Sequence, residues 1–151
     1  MKLAEALQER ADLNRKIEQL QDRLSNNVLV QEGEQTAEDP EKLKDELDSA
    51  ILRLAALIAQ INQTNCTTIV EGRTLTALIA RKDALSLKIR LYKEIASIAS
   101  QTTYRARNTE IKIKSTISVA DWQAEIDQMS KELRLLDNQL QQSNWNTDLI
   151  E

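Results

Sequence analysis

The sequence predicts a mainly α-helical fold: two tandem helix-loop-helix hairpins forming an antiparallel, coiled-coil-like four-helix bundle. Three observations predict it. Apolar residues recur at alternating spacings of three and four along four long segments. Two Gly and one Pro are too few for the closely spaced turns of an all-β chain of 151 residues. The hydrophobic content is 41% with no Phe, so the core must be aliphatic, and the abundant Leu, Ala, Gln, Glu, Lys and Arg all favour helix.

The first helix is expected from Leu3 to Leu24, where Leu13, Ile17, Leu20 and Leu24 form a heptad seam extended by Leu3, Ala6 and Leu7. Its other face, with Glu5, Glu9, Asp12, Arg15, Glu18 and Asp22, reads as solvated. Asn26 and Asn27 end it, and an acidic loop follows the short β-prone run Val28-Leu29-Val30. Asp39-Pro40 starts the second helix, Asp as cap and Pro at the first helical position. That helix runs to about Gln63 on a seam of Leu43, Leu47, Ala50/Ile51, Leu54, Leu57/Ile58 and Ile61. Leu52, Ala55, Ala56 and Ala59 widen its apolar surface beyond one face.

Thr64 to Arg73 is a polar turn containing Gly72, and Thr74 is placed to cap a third helix from Leu75 to about Ser100. Its seam is Leu75, Leu78/Ile79, Leu85 and Ile89; a second line, Ala84, Leu87, Leu91, Ile95 and Ile98, lies on another face. After the polar, basic stretch Thr102 to Asn108, Ile111 to Ile117 alternates apolar and polar residues in a strand-like period of two. Ser118 caps the fourth helix, whose Val119, Trp122, Ile126, Met129, Leu133, Leu136 and Leu140 make the cleanest heptad in the chain. The amide-rich stretch Gln141 to Asn146 closes it.

The halves resemble each other as pseudo-repeats 1–65 and 73–146 of one domain, 1–151. Leu3, Leu7, Leu13, Lys16 and Ile17 match Leu75, Ile79, Leu85, Lys88 and Ile89; Asp39, Leu47, Leu54, Leu57, Ile61 and Asn65 match Ser118, Ile126, Leu133, Leu136, Leu140 and Asn144. Heptads match one another readily, and the matched caps and Asn ends add weight. The repeat suggests that Val28–Val30 and Ile111–Ile117 pair as a short two-stranded β-ribbon from the two hairpin loops, within one chain or between subunits. Glu32, Glu34, Glu38 and Asp39 of one loop would oppose Arg105, Arg107, Lys112 and Lys114 of the other, each exposed pair contributing about 0.2–1 kcal/mol.

The middle helices carry more apolar surface than one bundle core covers, which marks an interface. A homo-oligomer, dimer or higher, is expected through Leu52, Ala55, Ala56, Ala59, Leu87, Leu91, Ile95 and Ile98.

Chemistry is sparse. No histidine is present, which removes His-based nucleophile activation, metal ligation and acid–base work. The one cysteine, Cys66, sits in a polar turn with only Arg73 near in sequence, so it reads as an ordinary turn residue. The carboxylates lie on solvated helix faces without the Glu-x-x-His element of di-iron bundles. There is no glycine-rich phosphate loop. No enzyme activity, cofactor or metal is expected. The net charge of −4 weighs against a general affinity for polyanions, although Arg105, Arg107, Lys112 and Lys114 form a candidate patch for an anionic partner. The charged start and the lack of a spanning apolar stretch make the cytoplasm the expected compartment.

Several segments resemble a family of small bacterial proteins labelled septicolysin-like: Met1 to Leu7 with Arg10-Ala11-Asp12-Leu13, Leu29 to Glu34 leading to Glu38-Asp39-Pro40, Gly72 to Thr76, and Asn144 to Leu149. The resemblance spans nearly the whole chain. It implies a bacterial source and a helical, coiled-coil-like fold, and it assigns no catalytic residues. The reading is therefore a non-enzymatic, oligomeric interaction or scaffold protein. Two alternatives stay open: a membrane-active cytolysin-like protein, and a binder of nucleic acid or another anionic partner through the basic second loop.

Overall fold

The computed structural model describes residues 1–102 and 111–151. Its described helices are α1 (Leu3–Asn27), α2 (Pro40–Thr67), α3 (Leu75–Ala99) and α4 (Val119–Asn146). A two-stranded antiparallel ribbon joins them, β1 (Ile69–Val70) and β2 (Arg73–Thr74). The mainly helical class with a small antiparallel ribbon is thus observed. The chain divides into two compact units, Met1–Thr74 with Gln142–Glu151, and Leu75–Gln141.

In the first unit, α1 starts where the Glu5 carboxylate accepts from the Lys2 backbone N–H at 2.7 Å. It ends on Asn27, buried but satisfied on both sides: its amide donates to the Arg23 carbonyl at 2.8 Å, and its Oδ1 accepts from the Glu38 N–H at 2.9 Å. Arg23 also holds the Glu38 carboxylate, so the loop is tied back to the helix it leaves. Asp39 caps α2 as its sequence dictates, accepting from the Glu41 N–H at 3.1 Å with Pro40 in the first turn. Near the start of α1, Glu9 accepts from the Nε and Nη2 groups of Arg53, at the middle of α2, at 2.6 and 2.8 Å. The two anchors make the pair antiparallel. Leu3, Ala4, Ala6, Leu20, Leu43, Ala50, Leu57 and Ile61 are buried, and the small Ala residues let the helix backbones approach. The C-terminal stretch closes this unit. Leu3 donates to the Thr147 carbonyl and Leu149 to that of Met1, each at 2.9 Å, while Ile150 donates to the buried Thr64 hydroxyl at 3.0 Å.

In the second unit, Arg81 pairs with Glu132, Lys82 pairs with Asp137, and the Tyr92 and Trp122 rings meet at 4.8 Å, so α3 and α4 also run antiparallel. Ile89, Ala96, Ile126 and Met129 form its core, with Leu85, Tyr92 and Leu133 packed against them. The Asp121 N–H donates to the Ser118 hydroxyl at 3.3 Å, the cap expected for α4.

The ribbon is not where the repeat places it. Neither Val28–Val30 nor the described Ile111–Ile117 forms a strand; an isolated bridge at Lys112 is the only extended pairing in the latter stretch. Val28, Leu29 and Val30 are exposed because the buried Asn27 fixes the loop instead. In the second loop, the Ser115 hydroxyl donates to the Ile117 carbonyl at 2.8 Å and accepts from the Ile117 N–H, a local turn that competes with any ladder. Nor does Glu38 await a cation from the other loop, because Arg23 holds it. The ribbon forms in the α2–α3 turn, where Glu71 (φ 49°) and Gly72 (φ 80°) are the two central residues between Val70 and Arg73. Positive φ at both positions is the tight I′-type hairpin geometry that suits the twist of short strands.

Candidate interaction surface

The structure turns the excess apolar surface of the middle helices into two defined stripes. On α2, Ile51, Leu52, Ala55, Ile58 and Ala59 lie within about 60° of one line at 100° per residue, while Leu43, Ala50, Leu57 and Ile61 lie on the far side facing the core. Leu52 is 74% exposed. On α3, Ala84, Leu87, Leu91, Ile95 and Ile98 form the second stripe, on the side of the helix away from Leu78, Ile89 and Ala96. All eight residues expected at an oligomer contact are exposed: Leu52, Ala55, Ala56, Ala59, Leu87, Leu91, Ile95 and Ile98. Ile51 and Ile58, assigned to the core seam from the sequence, join the exposed stripe instead. Ala50 and Leu57, one residue earlier, take the core positions.

Two further features flank the stripes. In the first unit, Leu29 stands 87% exposed in the α1–α2 loop beside the exposed Glu32 and Glu34. In the second unit, the end of α3 and the stretch before α4 enclose a cleft of about 320 Å³. Its walls include Ile95, Ile98, Ile113 and Ile117, with Lys114 and Thr116 beside them. The sequence pointed to neither feature as a site, because a cleft depends on how two distant stretches meet. Of the proposed basic patch, Lys112 and Lys114 are exposed, and Arg105 and Arg107 lie outside the described residues.

The electrostatics are those of surface ion pairs. Arg53, hydrogen-bonded to Glu9, holds that carboxyl below its ordinary value. Arg23 does the same for Glu38, and Lys2 for Asp148. Each is a stabilised charge with a partner, not a group poised for proton transfer. An open groove along the first hairpin, lined by Leu13, Lys16, Asp45, Glu46, Ser49 and Arg53, places both signs of charge together. Among the described residues, no group of three or more Cys, Asp or Glu could hold a metal ion. Among them too, no helix is long and apolar enough to cross a membrane. Cys66 is exposed.

The comparisons with known proteins agree on the fold and are silent on chemistry. A crystal structure of a functionally unknown conserved protein from Corynebacterium diphtheriae is 36% identical and superposes with a TM-score of 0.92, covering 99% of each chain. No curated protein matches the chain. The septicolysin-like label suggested by the sequence is carried by none of these findings. What does match, over residues 10–149, is the model of DUF6847, and the chain belongs to that family of unknown function.

Proposed function

We propose that this chain is a non-enzymatic helical interaction protein that works as a homo-oligomer, a dimer or a larger assembly. The observation that carries the reading is the pair of exposed apolar stripes on α2 and α3. Single exposed Leu or Ile residues are ordinary on protein surfaces, but apolar residues aligned over several turns mark an interaction site. Each hairpin uses one seam of its middle helix for its own core and leaves a second without cover. The test is sedimentation velocity over a micromolar dilution series. A dimer or larger species that dissociates on dilution is expected; a monomer at every concentration would overturn the reading.

The membrane-active alternative, implied by the septicolysin-like resemblance, draws no support from the helices described, and the alternating stretch Ile111–Ile117 holds a Ser115-centred turn. The anionic-partner alternative rests on Lys112 and Lys114 together with two residues outside the described structure. The net charge of −4 gives the chain no long-range attraction for polyanions.

A further inference from the structure

The first unit is not built from one stretch of chain. Its hairpin comes from Met1–Thr74, whereas Gln142–Glu151 arrives from the far end. The two parts fit each other closely. Lys2 and Asp148 face each other as an isolated antiparallel bridge, with Lys2 Nζ 2.8 Å from the Asp148 carboxylate. The Leu3 N–H donates to the Thr147 carbonyl and the Leu149 N–H to that of Met1. The Ile150 N–H reaches the Thr64 hydroxyl, which is fully buried, as is Leu3. Ser143, in the last helical turn before this segment, is buried too.

The chain passes between its two units twice. One passage, Gln141 to Gln142, lies inside α4, where opening would break consecutive helical hydrogen bonds. The other, Thr74 to Leu75, directly follows the β1–β2 ribbon. That ribbon has two residues on each side, too few to be stable alone. Its turn holds Glu71 at φ 49°, a left-handed conformation that crowds any L residue with a side chain. Ile69, Glu71, Gly72 and Arg73 are exposed, so the ribbon can open without uncovering a core.

We infer that the ribbon is a hinge for exchange between two copies of this chain. With β1 and β2 apart, Gln142–Glu151 of one copy closes the α1–α2 hairpin of the other, and the reverse. This rests on the self-association reading and goes beyond it by naming the contact. The seat itself identifies the occupant. A second copy carries the identical segment, so every bond at Met1, Lys2, Leu3 and Thr64 is made again between chains, and no new complementary surface is required. Opening also releases Glu71 from its left-handed conformation, and a short strained connection favours exchange over the closed chain. Reciprocal exchange closes a twofold dimer.

The Lys2–Asp148 pair supplies the test. The backbone bonds flank it, which makes it a non-hydrogen-bonded pair with Cα atoms about 4.5 Å apart, within reach of a disulfide. A Lys2→Cys/Asp148→Cys variant is made in a Cys66→Ser background, which removes the native exposed thiol. It is unfolded, refolded at micromolar concentration, oxidised and run on a denaturing gel without reductant. A covalent dimer that joins position 2 of each chain to position 148 of the other is the expected result. Two hinge variants of the unmodified chain separate exchange from chance capture. Proline cannot take a positive φ, so Glu71→Pro bars the closed turn and should keep the protein dimeric on dilution. Glu71→Asn gives the closed turn a favoured Asn-Gly pair and should weaken the dimer roughly tenfold, since two turns close for each dimer lost. Equal dimer fractions for the two hinge variants would overturn the inference. So would a disulfide that closes only within one chain in a protein that sediments as a dimer, a result that leaves self-association standing. A monomer at every concentration defeats both readings.

Discussion

Leu52→Ala separates a buried interface from an idle apolar surface. Leu52 is 74% exposed in the chain and touches the core of neither hairpin, so an isolated chain loses almost nothing when it is shortened. If a second copy covers it, the change removes most of the burial of a Leu side chain. Full burial of Leu is worth roughly 1.5–3 kcal/mol. About three-quarters of that, roughly 1–2 kcal/mol, is at stake for each copy, and a symmetric dimer contains two. Dissociation should therefore become easier by roughly 2–4 kcal/mol, which weakens the dimer about 30- to 1,000-fold at 1.4 kcal/mol per tenfold. The assay is sedimentation velocity of wild type and variant across a dilution series, with far-ultraviolet circular dichroism to establish equal helicity. An unchanged dissociation constant at unchanged helicity would refute the reasoning, because the stripe would then face solvent in the assembly as it does in the chain.

The remaining predictions concern the units themselves. Leu57→Ala and Ile126→Ala, at positions 0% and 1% exposed, should each cost about 2–5 kcal/mol in urea unfolding, one through each unit's core. The carboxyls of Glu9 and Glu38 are held below their ordinary 4.5 by arginines, so their contribution to stability is complete above that pH and is lost as pH falls through the lowered folded values; a Glu9→Gln/Glu38→Gln variant should show a shallower acid decline in its urea midpoint than wild type. Gly72→Ala meets no atom within 4 Å but must hold a φ of 80°, so it should cost about 1–2 kcal/mol, whereas Glu71→Asn at φ 49° should recover part of such a cost and raise the urea midpoint.

Much of the fold was legible because local chemistry decided it. Asp39-Pro40 and Ser118 start helices by satisfying free backbone N–H groups, an effect that needs no tertiary partner. The heptads placed all four helices, although α1 runs to Asn27 and α2 to Thr67, a few residues beyond the expected ends. Alternation in the long loops does not mark the ribbon, because the actual strands are two residues each and depend on a Glu-Gly pair with positive φ at both residues. Glu gives no sequence signal for that conformation as Asn would. The core seam of α2 was blurred for a different reason. Neighbouring residues such as Ala50 and Ile51 are 100° apart on a helix, and hydrophobicity favours the larger one for the core. The approach of α1, whose Leu13 and Lys16 line one groove with Ala50, favours the smaller.

That same choice bears on assembly. A hairpin that buries Ala50 in place of Ile51, and Leu57 in place of Ile58, gives both of these isoleucines to the outer face. Two-helix hairpins have thin cores, and a small core supplies little net stability after chain entropy is subtracted. Side chains left outside such a core contribute to folding only when another surface covers them, so folding and association become linked through mass action. The solvent side of α1 carries Glu18 and Asp22, whereas the solvent sides of α2 and α3 carry apolar residues, the pattern such a linkage requires. On the self-association we propose, the outer stripe would be the half of the core that each chain leaves for its partner to complete.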